Sequence, residues 1–179
     1  MALKATVFKA QVQISDMDRH YYESHALTLA RHPSETDERM MVRLLAFCLF
    51  ADPLLSFTKG LSADDEPDLW QQDLTGAIER WIEVGHPDER RLRKACGRAR
   101  EVVVINYGSR ASALWREQNA EGLARLGNLR VIDLDSAQVD DLTALVERTM
   151  DLSCTIDGGH VWIRDDRTTV ELSPTVLQG

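Results

Sequence analysis

The chain has 179 residues, 44% of them apolar and 28% charged, which is the make-up of a folded globular protein and excludes a disordered or collagen-like one. With 29 Asp+Glu against 21 Lys+Arg the formal net charge is -8, so a general nucleic-acid coat and a polybasic membrane binder are excluded, while one local basic face is not. Cys48, Cys96 and Cys154 lack CxxC spacing, and no apolar stretch reaches membrane-spanning length. A single domain over 1–179, in a reducing cytoplasm and without a membrane partner, is the expectation.

The first segment alternates: Ala5, Val7, Phe8, Ala10, Val12 and Ile14 stand among Lys4, Thr6, Lys9, Gln11 and Gln13. With Ser15–Asp18 as turn and Tyr21–Ala30 as return, it predicts a β-hairpin. Ser34 then serves as a helix cap, followed by Met40, Met41, Leu44, Leu45, Cys48 and Leu49 at helical period. Short extended pieces follow at Leu55–Thr58 and Pro67–Trp70, separated by an acidic loop at Ala63–Glu66. Ile78–Val84 is a strand, and Pro87 opens a helix reaching about Arg100. The apolar run Val102–Ile105 reads as a buried strand beside Ile78–Val84, with that helix crossing between them. A helix near Ala111–Leu126, a strand Leu129–Leu134 and a helix Ser136–Thr149 come next. A Gly158-Gly159 hairpin and a last strand at Thr168–Leu172 complete an α/β pattern.

Chemistry concentrates in the middle of the chain. Period-two geometry places Trp81, Glu83 and Gly85 on one face of their strand, so Glu83 sits among apolar neighbours, where a lone carboxylate is costly. Asp68 and Glu83 on neighbouring strands would form an oxygen pocket for Mg²⁺ or Mn²⁺, which needs few protein ligands. The slot for a cation two residues past Glu83 holds Gly85, and Lys94 on the next helix is the candidate to reach back. Other readings stand beside these: Asp68 as a turn cap, Glu83 as partner of an arginine on the following helix, Lys94 as a solvated lysine. Arg90, Arg91, Arg93, Lys94, Arg98 and Arg100 form the one concentrated basic patch, suited to a phosphodiester backbone or to plain solvation. His86 adjoins the pocket, where it would touch a phosphate or cap its helix; the other histidines lack zinc spacing.

The residues Glu66-Pro67-Asp68, Glu83 and Lys94 resemble the PD-(D/E)xK nuclease superfamily, and the fuller run GLS…EPDLW…DLTGAI…WIEVG.PDERRLRKA resembles the YaeQ family over most of the chain. The resemblance implies a mixed central sheet flanked by helices, a restriction-endonuclease-like α-β-β-β-α-β core, with additional hairpins at both ends. It implies Asp68 and Glu83 as metal-binding catalytic acids and Lys94 as a migrated lysine, with Glu38 or Glu35 as the helix acid; His86 and Arg91, beside the pocket, are candidate auxiliaries by position. The activity implied is Mg²⁺-dependent hydrolysis of a nucleic acid. The alternative is a non-catalytic nucleic-acid- or protein-binding member with the same fold.

Overall fold

The computed structural model describes residues 4–59 and 65–179. Part of the expected acidic loop (Ala63 and Asp64) and the Gly60-Leu61-Ser62 run lie outside the described residues. Two compact units partition the chain: the first takes it up to Ala51 together with Ala137–Pro174, the second takes Asp52–Ser136 with Thr175–Gly179.

In the first unit, β1 (Thr6–Asp16) buries Phe8, Ala10, Val12 and Ile14 and leaves Lys9, Gln11 and Gln13 outside, as its alternation demands. β2 (Tyr21–Arg31) returns antiparallel, in register from Thr6↔Arg31 to Asp16↔Tyr21. β8 (Thr149–Asp157), β9 (His160–Arg164) and β10 (Thr169–Leu172) complete a mixed five-stranded sheet, ordered β10-β9-β8-β1-β2. The two terminal hairpins are therefore not additions to one central sheet; they form a sheet of their own. The join is the parallel pairing of β1 with β8, which aligns Ala10, Val12 and Ile14 with Met150, Leu152 and Cys154 and so makes one apolar face continuous. Gly158 and Gly159 both take positive φ in the β8–β9 turn, and their N–H groups donate to Asp18, whose carboxyl they hold below its ordinary range.

α1 (Asp37–Leu49) belongs to the same unit and is buried without a break from Met40 to Cys48. Its cap is Thr36, whose Oγ1 accepts from the Arg39 N–H at 3.1 Å, and not the expected Ser34. Ser34 is unavailable because its N–H and hydroxyl are both engaged by His32 Nδ1, in a turn that precedes the helix. Thr36→Ala is expected to cost about 1 kcal/mol, read as a lower urea midpoint with unchanged slope. α4 (Ser136–Thr143) begins where the two units meet in sequence and stops short of the expected Thr149, which opens β8 instead.

The second unit holds β3 (Leu55–Phe57), β4 (Leu69–Gln72), β5 (Ile78–Val84), α2 (Glu89–Cys96), β6 (Ala99–Asn106), α3 (Ser109–Ala124), β7 (Leu129–Asp133) and β11 (Thr175–Gln178). The mixed six-stranded sheet is ordered β11-β7-β6-β5-β4-β3. β3, β4 and β5 run antiparallel, whereas β5, β6 and β7 are parallel, with α2 and α3 as the connections that parallel pairing requires. The expected neighbours Ile78–Val84 and Val102–Ile105 pair in this way. α2 is shorter than expected: Asp88 caps it through Oδ1 to the Arg91 N–H at 2.7 Å, and Gly97 ends it before β6. Pro87 lies before that cap, outside the helix. β11 has no counterpart in the sequence reading; it adds to β7 at the edge.

One face of this sheet is arranged in three rows. Trp70, Trp81, Val102 and Leu129 align in the first, and with Leu92, Ala95, Trp115 and Leu123 most of them make the core under α2 and α3. The second row carries Glu83, Val104 and Val131, and the third carries Asn106 and Asp133 at the carboxyl ends of the parallel strands. Among the described residues no helix is long and apolar enough to cross a membrane.

Candidate functional site

The antiparallel register pairs Leu69 with Ile82 and Trp70 with Trp81; continued by one step, it sets Asp68 opposite Glu83 on the same face. The Asp68 N–H still donates to the Ile82 carbonyl at 3.0 Å, so the ladder reaches this far. Residues directly opposite on an antiparallel pair have Cβ atoms about 4.5–5.5 Å apart, and like charges there are destabilising. Both acids are nevertheless buried, Asp68 at 3% and Glu83 at 5% exposure. Asp68 Oδ2 accepts from the Val84 N–H at 2.8 Å. Glu83 Oε1 accepts from Trp81 Nε1 at 2.9 Å and from Arg91 Nε at 2.7 Å. Burial pushes the Glu83 carboxyl above its ordinary range; Arg91 pulls against it, Asp68's charge adds to the rise, and the Trp81 and Arg91 bonds oppose it.

The cation at Glu83 is thus Arg91, which also reaches the Glu66 carbonyl through Nη2 at 2.7 Å and ties the loop before Asp68 to α2. Lys94, one turn further along, is exposed and has no side-chain hydrogen bond or ion pair among the described residues. It lines a small cavity of about 20 Å³ with Trp81, Arg91, Ala95, Arg98 and Asp65, room for a single water. Arg98 lies over the Trp81 ring at 5.0 Å and donates to the Asp65 carbonyl. Arg93 pairs with Glu89 and Arg100 with Glu79, so part of the basic patch is spent on surface pairs.

Gly85 has φ +108°, and a Cβ built there would meet nothing within 4 Å. Space for a side chain exists at this slot, but the backbone conformation favours glycine. Beside it, His86 is exposed, with Nε2 2.9 Å from Ser112 Oγ and its ring tilted against Tyr107 and Trp115. Burial against these neighbours lowers its pKa, with Asp133 raising it, Arg116 lowering it and the Tyr107 backbone raising it. Cys96 on α2 is a resting thiol, pushed up to about 11 by burial.

Glu35 and Glu38 belong to the first unit. Glu35 is locked by Arg39 Nη1 at 2.7 Å and by Arg43, Nε at 2.9 Å and Nη2 at 2.6 Å, while Glu38 is a half-buried first-turn residue of α1. A groove in the first unit has charged walls that pair with one another, as Arg167 does with Glu147 at 2.8 Å. Among the described residues no three His, Cys, Asp or Glu side chains gather into a metal-holding cluster. Asn106, Ser112, Arg116 and Asp133 escaped the sequence reading. The signal for the first was present: a polar residue ending the apolar run Val102–Ile105, at the carboxyl end of a parallel strand.

Fold and site together define a mixed α/β protein, with two sheets and four helices among the described residues and a buried acid pair on the second sheet. The chain belongs to the YaeQ protein family, whose profile matches residues 1–174. It is 48% identical to YaeQ of Escherichia coli (strain K12) over 178 residues, 99% of this chain and 98% of that one. The crystal structure of the YaeQ protein from Xanthomonas axonopodis pv. citri superposes with TM-score 0.94 at 55% identity, covering 98% of this chain and 99% of that one. The YaeQ protein from Pseudomonas syringae superposes with TM-score 0.93 at 35% identity, covering 98% and 97%.

Proposed function

We propose that the second unit is a divalent-cation-dependent phosphodiesterase acting on nucleic acid, with Asp68 and Glu83 holding Mg²⁺ or Mn²⁺. The observation that carries this reading is two buried carboxylates set side by side, the charge of Asp68 raising the cost of ionising Glu83, an arrangement a cation relieves. The donor set suits such an ion: Glu83 Oε2 has no hydrogen bond among the described residues, and Mg²⁺ takes few protein ligands and keeps its waters. When bound, the ion would polarise a phosphoryl oxygen and acidify a water. The succession β3-β4-β5-α2-β6 follows the β-β-β-α-β part of a restriction-endonuclease-like core, which supports the likeness to PD-(D/E)xK nucleases. Arg91 holds Glu83 in place, while Lys94, like Arg90 on the same helix, makes no ion pair among the described residues and is available to a phosphate. Three unpaired cysteines fit the reducing cytoplasm in which such an enzyme would work.

One observation favours the non-catalytic reading: Arg91 already supplies Glu83 with a positive partner at 2.7 Å. Calorimetry with Mn²⁺ separates the two, run alongside hydrolysis of single- and double-stranded DNA and RNA. Asp68→Asn is expected to lose cation binding and hydrolysis together, and Lys94→Ala to lose hydrolysis alone. Mn²⁺ binding unaffected by Asp68→Asn and by Glu83→Gln, or no binding up to millimolar Mn²⁺, would remove the enzyme reading.

A further inference from the structure

The third row of the second sheet carries polar groups that the acid pair does not use. Asn106 and Asp133 are register partners on β6 and β7, so their side chains leave the sheet on the same face. Asn106 is fully buried; its Nδ2 donates to the Gly85 carbonyl at 2.8 Å, while its Oδ1 is buried with no hydrogen bond. Asp133 Oδ1 is likewise buried without a hydrogen bond. An acceptor buried without a hydrogen bond costs about 1–3 kcal/mol; Asn106 Oδ1 bears this in full, whereas Asp133 Oδ1 has the Arg116 guanidinium at 3.5 Å in ion-pair range.

His86 completes the set. The hydroxyl of fully buried Ser112 donates to the Tyr107 carbonyl at 3.1 Å. Its single proton is thereby spent, so at 2.9 Å it accepts from His86 Nε2–H, and the imidazole lone pair stands on Nδ1. That is the outer support a metal-binding histidine has: one ring nitrogen donates to a fixed acceptor and the other faces the ion. His86 follows Gly85 directly, Asn106 grips the Gly85 carbonyl, and Asp133 lies within electrostatic reach of the ring. Acceptors of mixed nitrogen and oxygen character therefore stand at the carboxyl ends of β5, β6 and β7.

We propose that His86 Nδ1, Asn106 Oδ1 and Asp133 form a second cation site, distinct from the Asp68–Glu83 pair and suited to a borderline divalent ion such as Zn²⁺, Co²⁺ or Ni²⁺. Imidazole nitrogen favours these ions over Mg²⁺, which prefers oxygen alone. Arg116 is the built-in competitor: its Nη1 stands 3.5 Å from Asp133 Oδ1, in ion-pair range but without a hydrogen bond. The site uses neither Asp68 nor Glu83, so it stands or falls apart from the phosphodiesterase reading.

The test is Ni²⁺ calorimetry on the full, untagged chain, with Co²⁺ visible absorption as a second readout and thermal melts to confirm folding. His86→Ala and Asp133→Asn are each expected to weaken Ni²⁺ binding by at least the roughly 10–100-fold that loss of a mere supporting partner costs. His86→Gln provides the same test should the alanine variant fold poorly. Arg116→Gln is expected to tighten binding several-fold, since it removes the competing charge, and Asp68→Asn to leave it unchanged. Ni²⁺ affinity indifferent to both His86→Ala and Asp133→Asn, affinity abolished by Asp68→Asn, or no binding up to millimolar Ni²⁺ would each overturn the proposal.

Discussion

Glu83→Gln is expected to abolish Mn²⁺ binding and at the same time to melt at or above the wild-type temperature at pH 7. Loss of a ligand should cost at least the roughly 10–100-fold in metal affinity that follows loss of an outer-shell partner. The stability half follows from the raised pKa of the buried carboxyl. A carboxyl whose folded value exceeds its unfolded one stabilises the fold fully below the ordinary glutamate range, and that contribution is lost as pH rises through the folded value. Ionising Glu83 in the folded protein therefore carries a net cost, despite Arg91 and the Trp81 N–H. A neutral glutamine of the same shape removes that cost. Melts from pH 4 to pH 8 should show the wild type losing this part of its stability on the way up and the variant not losing it. A variant that melts clearly below wild type at pH 7 would mark Glu83 as a net stabilising partner of Arg91, and its role as structural. Stability given up at an acid pair is what a binding site predicts.

Glu35→Ala is expected to destabilise the protein by about 3–5 kcal/mol. Arg43 is 5% exposed and the Glu35 side chain 2%, and two guanidinium nitrogens of Arg43 bond the carboxylate while Nη2 also reaches the Ala30 carbonyl on β2. Removing the glutamate strands a buried guanidinium inside a helix that is otherwise packed with Met, Leu, Val and Phe. Arg39, more exposed at 15%, can turn toward water and loses less. Replacing both partners with apolar residues of similar volume, as in Glu35→Leu with Arg43→Met, should recover most of the loss, because no charge is left unpaired. Urea unfolding of the single and double variants reads both values. A single variant within 1 kcal/mol of wild type would mean that water reaches Arg43.

The contrast between these two acids shows which parts of the molecule were legible from the sequence. Glu35 reads in sequence, with Glu38, as a candidate helix acid of the site; the structure finds it in the first unit, just before α1, neutralised by Arg39 and Arg43 of that helix. Nothing in a linear reading separates it from Asp68, because a carboxylate's role depends on which cations the fold brings to it. Arg91 and Lys94 pose the same difficulty on one helix. Both lie within reach of Glu83 by spacing, and the choice was made by the phase of α2, which the Asp88 cap sets and the burial of Leu92 and Ala95 holds.

What the amino-acid sequence determined by itself is whatever depends on near neighbours. The alternation of β1, the tight glycine turn after β8, the apolar run of β6 and the strand-helix-strand unit around Glu83 all follow from periods and turn chemistry within some twenty residues. Period two alone put Glu83 and Gly85 on one face, and a neighbouring short extended segment made Asp68 its candidate partner. Only the tertiary structure decided the pairing of β1 with β8, which brings Lys9 opposite Thr149, since any apolar-faced strand matches another in pattern. Only it placed β11 at the edge of β7 and aligned Asn106 with Asp133. The physical reason is common to these cases: local geometry is set by dihedral preference and periodicity, whereas the partner of a strand face or of a charge is chosen by packing among segments far apart in the chain.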